Sequence, residues 1–102
     1  MRQGEIWWAE LPDEKTRPYL VLTRPQAIPV LHSVLVAPIS TRIRGLAAEV
    51  PISPADGMPI DCVANFDNIR TIRKSHLTRR SGALRAGRWP EVCAAMRAAI
   101  DC

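Results

Sequence analysis

Tyr19-Leu20-Val21-Leu22-Thr23, enclosed by Pro18 and Pro25, is a short unbroken apolar run that reads as a buried strand rather than a helix. Val34-Leu35-Val36-Ala37-Pro38-Ile39 repeats the pattern. Pro25-Gln26-Ala27-Ile28-Pro29 between them is expected to be a loop, because neither proline has an N–H to give a ladder. Upstream, Glu5 to Leu11 is rich in β-formers (Ile6, Trp7, Trp8) and stops at the polar turn Pro12-Asp13-Glu14-Lys15. Downstream, Ala48, Val50 and Ile52 alternate with Glu49, Pro51 and Ser53, a half-buried strand that Pro51 places near an edge or bulge. Ser53 to Gly57 then turns the chain. Cys62 to Phe66, where Ala64 and Phe66 face opposite to Asn65, and Ile69 to Arg73 suggest a further strand pair. Five or six short strands with no long helix between them predict antiparallel pairing and a small barrel, not βαβ units.

Only the last segment has helical signals. Pro90 suits a first turn, and Val92, Met96 and Ile100 recur every four residues along one face. Ala94, Ala95, Ala98 and Ala99 add helix propensity, so a C-terminal helix is expected to lie on the barrel. Trp7 and Trp8 must face opposite sides of a strand. One is therefore expected in the core and the other partly exposed, with a subunit interface as its use.

The length of 102 residues fits one domain, spanning 1–102, able to bury roughly 65% of its unfolded-chain surface. No apolar run approaches the roughly 20 residues that span a bilayer, so no membrane partner is expected. Met1-Arg2-Gln3-Gly4-Glu5 opens no apolar h-region of about 7–15 residues, which points to a cytoplasmic location. Cys62, Cys93 and Cys102 cannot all pair within one chain and form no C-x-x-C, so reduced thiols are expected. His32 and His76 stand apart and belong to no ligand cluster; neither a metal site nor a cofactor is expected. The net charge of +4 comes almost wholly from arginine, Lys15 and Lys74 being the only lysines. A guanidinium is a planar fork that matches phosphate, which points toward nucleic acid, although the same charge is ordinary for the solubility of a small domain.

Three stretches are candidates for chemistry. In Thr16-Arg17-Pro18 the proline pushes Arg17 into an extended conformation, so its side chain is either directed at a site or simply exposed at a loop end. Ser40-Thr41, followed by Arg42-Ile43-Arg44, either forms an ST-turn or gathers hydroxyl, N–H and guanidinium groups about one phosphate. Asn65-Phe66-Asp67-Asn68-Ile69-Arg70-Thr71 either makes Asx hydrogen bonds in a turn or projects Asn65 and Asp67 toward the edges of unpaired bases. Arg79, Arg80, Arg85 and Arg88 form a basic stretch that is a solvated face unless the fold collects it beside a groove.

Read in order, four blocks resemble the MazF/PemK/Kid toxins: Gly4-Glu5-Ile6-Trp7, Arg17-Pro18-Tyr19-Leu20-Val21, Val36-Ala37-Pro38-Ile39-Ser40-Thr41 and Asp67-Asn68-Ile69-Arg70-Thr71-Ile72. The resemblance implies an SH3-like antiparallel barrel of the CcdB/PemK type with a C-terminal helix. It also implies a homodimer, with single-stranded RNA (mRNA, rRNA or tRNA) lying between subunits, and a MazE-like antitoxin whose C-terminal segment covers the same groove. The implied activity is metal-independent endoribonuclease cleavage by 2′-OH attack. By the same resemblance Arg17 and Thr41 match the catalytic arginine and threonine, while Ser40, Arg42, Arg44, Asn65, Asp67 and Arg73 are assigned to RNA contact. Two positions depart from the family. The loop Pro12 to Thr16 is short, with Glu14 only an approximate substitute for a family glutamate, and Asn65 stands where some relatives carry a catalytic arginine. A CcdB-like barrel that binds DNA gyrase without catalysis is the alternative, and an inactive SH3-like module a third.

Overall fold

A computed structural model describes residues 1–101; Cys102 lies outside the described residues. Seven strands are found among them, β1 (Glu5–Ala9), β2 (Arg17–Val21), β3 (Ser33–Ser40), β4 (Glu49–Ile52), β5 (Cys62–Asn65), β6 (Arg70–Arg73) and β7 (Leu77–Ala83), followed by the helix α1 (Trp89–Ile100). All pairings are antiparallel; six strands follow the path β4-β5-β3-β2-β1-β7, and β6 pairs with β3 off that path. Pro51 accordingly sits in a terminal strand of that path, where a missing N–H costs least.

β3 is the spine. One edge pairs with β2, and the other is divided between β6, opposite Ser33 to Val36, and β5, opposite Ile39 and Ser40. The expected pairing of the segments 62–66 and 69–73 with each other is therefore corrected: they follow one another along the same edge of β3. A 3-10 turn, Phe66–Asn68, carries the chain from one half to the other. Asn65 Oδ1 accepts the Asp67 N–H at 2.9 Å, and Phe66, only 1% exposed, pins the turn to the core.

β2 and β3 are continuous apolar runs because they are buried on both faces. Leu20, Ala37 and Ile39 join Ile6, Val50, Phe66 and the helix residues Val92 and Ala95 in one cluster. Tyr19, Val21, Val34 and Val36 join Ile72 and Leu77 in a second. Trp8 packs on the first cluster and Trp7 on the second. The faces are opposite, as expected, but both indoles are only half-buried and neither is the core tryptophan expected from the sequence.

β7 is not among the strands expected from the sequence, since Thr78-Arg79-Arg80-Ser81 reads as a basic surface run. Here it pairs with β1, Leu77 opposite Ala9 and Gly82 opposite Ile6, with irregular register on either side of Trp7 and Trp8. Its arginines are largely committed. Arg80 Nε lies 2.9 Å from Glu5 Oε2, and the Arg79 guanidinium stacks 5.1 Å above the Trp8 ring. Partial burial pushes the Glu5 carboxyl up, but the Trp7 indole N–H, the Arg2 N–H and Arg80 together hold it below its ordinary value.

The barrel closes where the turn after β4 meets β7. Ser81 Oγ donates to the Gly57 carbonyl at 2.9 Å, and the backbones approach so closely that a Cβ on Gly82 would run into the Asp56 carbonyl. Gly57 also has φ +103°, a conformation that glycine adopts without strain. Arg88, just ahead of α1, fastens the same corner: it reaches Asp56 Oδ2 at 3.1 Å, the Pro51 carbonyl at 2.8 Å and both oxygens of Glu91 at 2.8 and 2.9 Å. In α1 the buried stripe is Val92 and Ala95, flanked by Met96 and Ala99, whereas Ile100 is 57% exposed. Positions four apart drift by about 40° per step on a 3.6-residue helix, which carries Ile100 off the face that Val92 begins. No helix among the described residues is long and apolar enough to cross a membrane.

Candidate functional site

β2 begins where β3 ends. Tyr19 pairs with Pro38, so the register carries Arg17 alongside Ser40 and sets the following Thr41 at the same rim. Three openings meet there. The first, about 430 Å³, is lined by Arg17, Ser40 and Thr41 together with Trp8, Met58, Pro59 and Ile60. The second, about 370 Å³, holds Glu14, Lys15, Tyr19, Asn68 and Arg70. The third, about 330 Å³, holds Ser40, Arg42, Arg44, Asn65 and Asn68. Arg17 lines all three.

Among the described residues the Arg17 side chain makes no hydrogen bond or ion pair, so its five N–H donors stay available. Its neighbour Arg70 is committed instead, meeting Glu14 with Nη1–Oε1 at 2.9 Å and Nη2–Oε2 at 3.4 Å. The Arg70 fork holds the Glu14 carboxyl below its ordinary value, aided by the charges of Arg70 and Arg17, and Glu14 in turn raises Arg70. The pair ties the short loop Pro12 to Thr16 to β6, which sets the approach to Arg17.

Each local alternative weighed from the sequence is present and leaves donors over. Ser40 Oγ accepts the Arg42 N–H at 3.0 Å, an ST-turn that keeps the chain bent where Thr41 is presented. Asn65 Oδ1 is occupied by the Asp67 N–H, which leaves its amide NH₂ for the third opening. Glu49 Oε1 accepts the N–H groups of Arg44 and Leu46 at 3.1 and 3.2 Å and so shapes the loop that carries Arg42 and Arg44.

Of the residues assigned from sequence, Arg17, Thr41, Ser40, Arg42, Arg44 and Asn65 come together about this rim. Asp67 and Arg73 do not. Asp67 is exposed on the 3-10 turn and lines none of the three openings. Arg73 pairs with Ser33, the far end of β3, roughly 23 Å from Ser40 at about 3.3 Å per residue. Asn68 and Arg70, in the same polar run, line the site instead, and pairing register is what separates them from Arg73. Met58, Pro59 and Ile60 carried no local signal at all. Cys62 lies at the back of the first opening with its Sγ 3.6 Å from the Ile52 carbonyl. Burial, helped by Asp61 and Asp56, pushes its thiol up to about 11, so it remains protonated and is not a nucleophile. No three His, Cys, Asp or Glu side chains come together among the described residues.

An uncommitted guanidinium beside hydroxyl and amide donors is suited to a phosphate that gains charge during reaction. The family described as PemK-like, MazF-like toxin of type II toxin–antitoxin system matches residues 2–100. The probable endoribonuclease MazF5 of Mycobacterium tuberculosis is 41% identical over 98% of this chain and 93% of its own length. The probable endoribonuclease MazF2 of the same organism is 38% identical over the full length of both. The solved structure of the M. tuberculosis toxin MazF-mt6 covers 95% of this chain and 96% of that one, with a TM-score of 0.88 and 41% identity. A mycobacterial endoribonuclease solved with its cognate antitoxin shares the fold, with a TM-score of 0.87 at 21% identity over 99% of this chain and 95% of that one. A family match along nearly the whole sequence, joined to these full-length likenesses, means that the chain belongs to the PemK/MazF family of toxins.

Proposed function

We propose that this chain is the toxin of a type II toxin–antitoxin pair and an endoribonuclease that cuts single-stranded RNA without a metal. The observation that carries this reading is the uncommitted Arg17 at the junction of the three openings, beside Ser40 and Thr41. The substrate's 2′-oxygen bonds to the adjacent phosphorus as the P–O5′ bond breaks. The 2′-OH proton passes to solvent water and the departing 5′-oxygen takes one from water, leaving a 2′,3′-cyclic phosphate and a 5′-OH. Arg17 stabilises charge on the non-bridging oxygens and, being a guanidinium that stays protonated, does not act as the base. Thr41 orients the phosphate. Ser40, Arg42, Arg44 and Asn65 hold the strand through the third opening. Asp67 and Arg73, which line none of the openings, have no part in this reading.

The chain works as a cytoplasmic homodimer, with RNA along the groove, and is silenced by an antitoxin whose disordered C-terminal segment folds across the cationic rim. A gyrase-binding barrel has no use for an aimed guanidinium beside hydroxyls, and the relatives named above are endoribonucleases by name. The deciding experiment incubates the purified protein with a long RNA in EDTA and sequences the 5′ ends. Discrete cuts bearing 5′-OH are expected, and a deoxyribose at the cut site stops them. Cleavage that needs added magnesium would reject the mechanism.

A further inference from the structure

The chain between β3 and β4 carries Arg42 and Arg44 to the third opening without any strand or helix of its own. Every residue from Thr41 to Ala47 is exposed, Ile43 and Leu46 included, so burial does not hold this loop. Hydrogen bonds do. Apart from the Ser40 turn at its start, each one that shapes the loop among the described residues ends on Glu49. Glu49 Oε1 accepts both the Arg44 N–H at 3.1 Å and the Leu46 N–H at 3.2 Å, and the Glu49 N–H donates to the Leu46 carbonyl at 3.0 Å. Gly45, between the two donors, has φ +70° with no atom within 4 Å of where a Cβ would stand, so glycine serves the bend and not the packing. The anchor is itself fixed: Glu49 opens β4 opposite Asn65, and the Phe66 N–H donates to the Ala48 carbonyl at 2.9 Å. Glu49 lines none of the three openings, and its Oε2 is buried without a hydrogen-bond partner. Holding the loop is therefore the only hydrogen-bonding work its carboxylate does.

We propose that Glu49 is a positioning residue for RNA: by fixing the loop before the strand arrives, it sets the Arg42 and Arg44 guanidinium groups where phosphates will lie. Those two groups make no hydrogen bond or ion pair among the described residues, and Glu49 binds the Arg44 backbone rather than its guanidinium. The sign of the effect is what sets this role apart. A carboxylate 3.1 Å from the Arg44 N–H stands well within the roughly 10 Å over which charges act at 0.1 M salt, so by charge alone it repels the strand and its removal strengthens binding. By position its removal weakens binding, because two long cationic side chains and their loop must then be ordered during association. The assignment rests on the nuclease reading above and adds what prepares its cationic track.

The test uses an RNA oligonucleotide spanning a mapped cut for kinetics, and the same strand with deoxyribose at the cut site for affinity. Glu49→Ala should raise KM and weaken affinity roughly 5–100-fold, the range for ordering two such side chains on binding instead of beforehand. Its kcat should hardly change, since Arg17 and Thr41 are placed by the pairing of β2 with β3 and by the Ser40 turn. Glu49→Gln loses the charge but keeps a carbonyl that can accept both N–H groups, and should recover most of the loss. Gly45→Ala disturbs the same bend with no change of charge and should also raise KM; it keeps the test valid if Glu49→Ala does not fold. Tighter binding by both Glu49 variants would mean that the carboxylate acts only as a charge, and would overturn the positioning role. A loss in kcat with KM unchanged, or Glu49→Gln as impaired as Glu49→Ala, would also overturn it. Absence of cleavage of any long RNA by the unsubstituted chain would overturn the nuclease reading itself, while the affinity of the uncleavable strand would still decide the role of Glu49.

Discussion

Arg17 and Arg70 line the same opening, yet only Arg70 is neutralised, by Glu14 at 2.9 Å. That difference assigns them different work. On the proposed mechanism Arg17→Ala removes a charged donor aimed at the transition state, and the expected loss is about 10²–10³ in kcat, by comparison with a deleted oxyanion-hole donor. Thr41→Ala should lose less, and circular dichroism should show both variants folded, since neither side chain is in the core. The Glu14 carboxyl is held below its ordinary value of 4.5 by Arg70, so the loop contact is fully present above that value and is lost as pH falls through the lowered one. An NMR titration should find Glu14 protonating late, and Arg70→Gln should return it to the ordinary range. An unshifted Glu14 in the unsubstituted chain would show that the pair does not persist in solution. At this scale the sequence offered residue types as candidates and left their address open. The Arg17-Pro18 and Ser40-Thr41 pairs could be singled out because local backbone rules act on them, whereas Arg73 and Asn68 differ only in where the register of β6 against β3 puts them.

β2 and β3 were legible because burial on both faces writes an unbroken apolar run, and α1 because Pro90 and the alanines mark it. β7 was not, since of its seven residues only Leu77 is buried and Thr78 to Arg80 face solvent. Its place is dictated by partners distant in sequence: β1, the turn at Gly57 and the guanidinium of Arg88. The corner these form should therefore be sensitive to small changes. Gly82→Ala sets a methyl against the Asp56 carbonyl and should cost about 1–3 kcal/mol or more, read as a lowered urea midpoint. Arg88→Met leaves the Asp56 carboxylate, whose side chain is 3% exposed, without its counter-charge. The Ser53 N–H at 2.9 Å remains, so the expected loss is near the lower end of the range for breaking a buried pair, about 3 kcal/mol. A melting temperature unchanged in Arg88→Met would mean that Asp56 is held by backbone alone.

Across the molecule, charge is sorted by position. Arg80 and Arg88 are paired and Arg79 is stacked, while Lys15, Arg17, Arg42 and Arg44 converge on the openings. Four cations on a single strand predict that log K for RNA falls against log salt with a slope of roughly −3, and fluorescence anisotropy across a salt series measures it. A slope near zero would exclude this rim as the RNA track. The order of assembly has its own bearing on such a fold. β1 is synthesised almost first, but its neighbour β7 comes after six other strands, and Trp8, which lines the first opening, sits between β2 and that late strand. Pairings so distant in sequence form slowly, and translation itself proceeds at about 5–20 residues per second. A ribosome making this chain therefore exposes β1 to β6 before the strand that completes the outer edge of β1 has been made. The surroundings of Trp8 are thus completed only once the final strand has emerged.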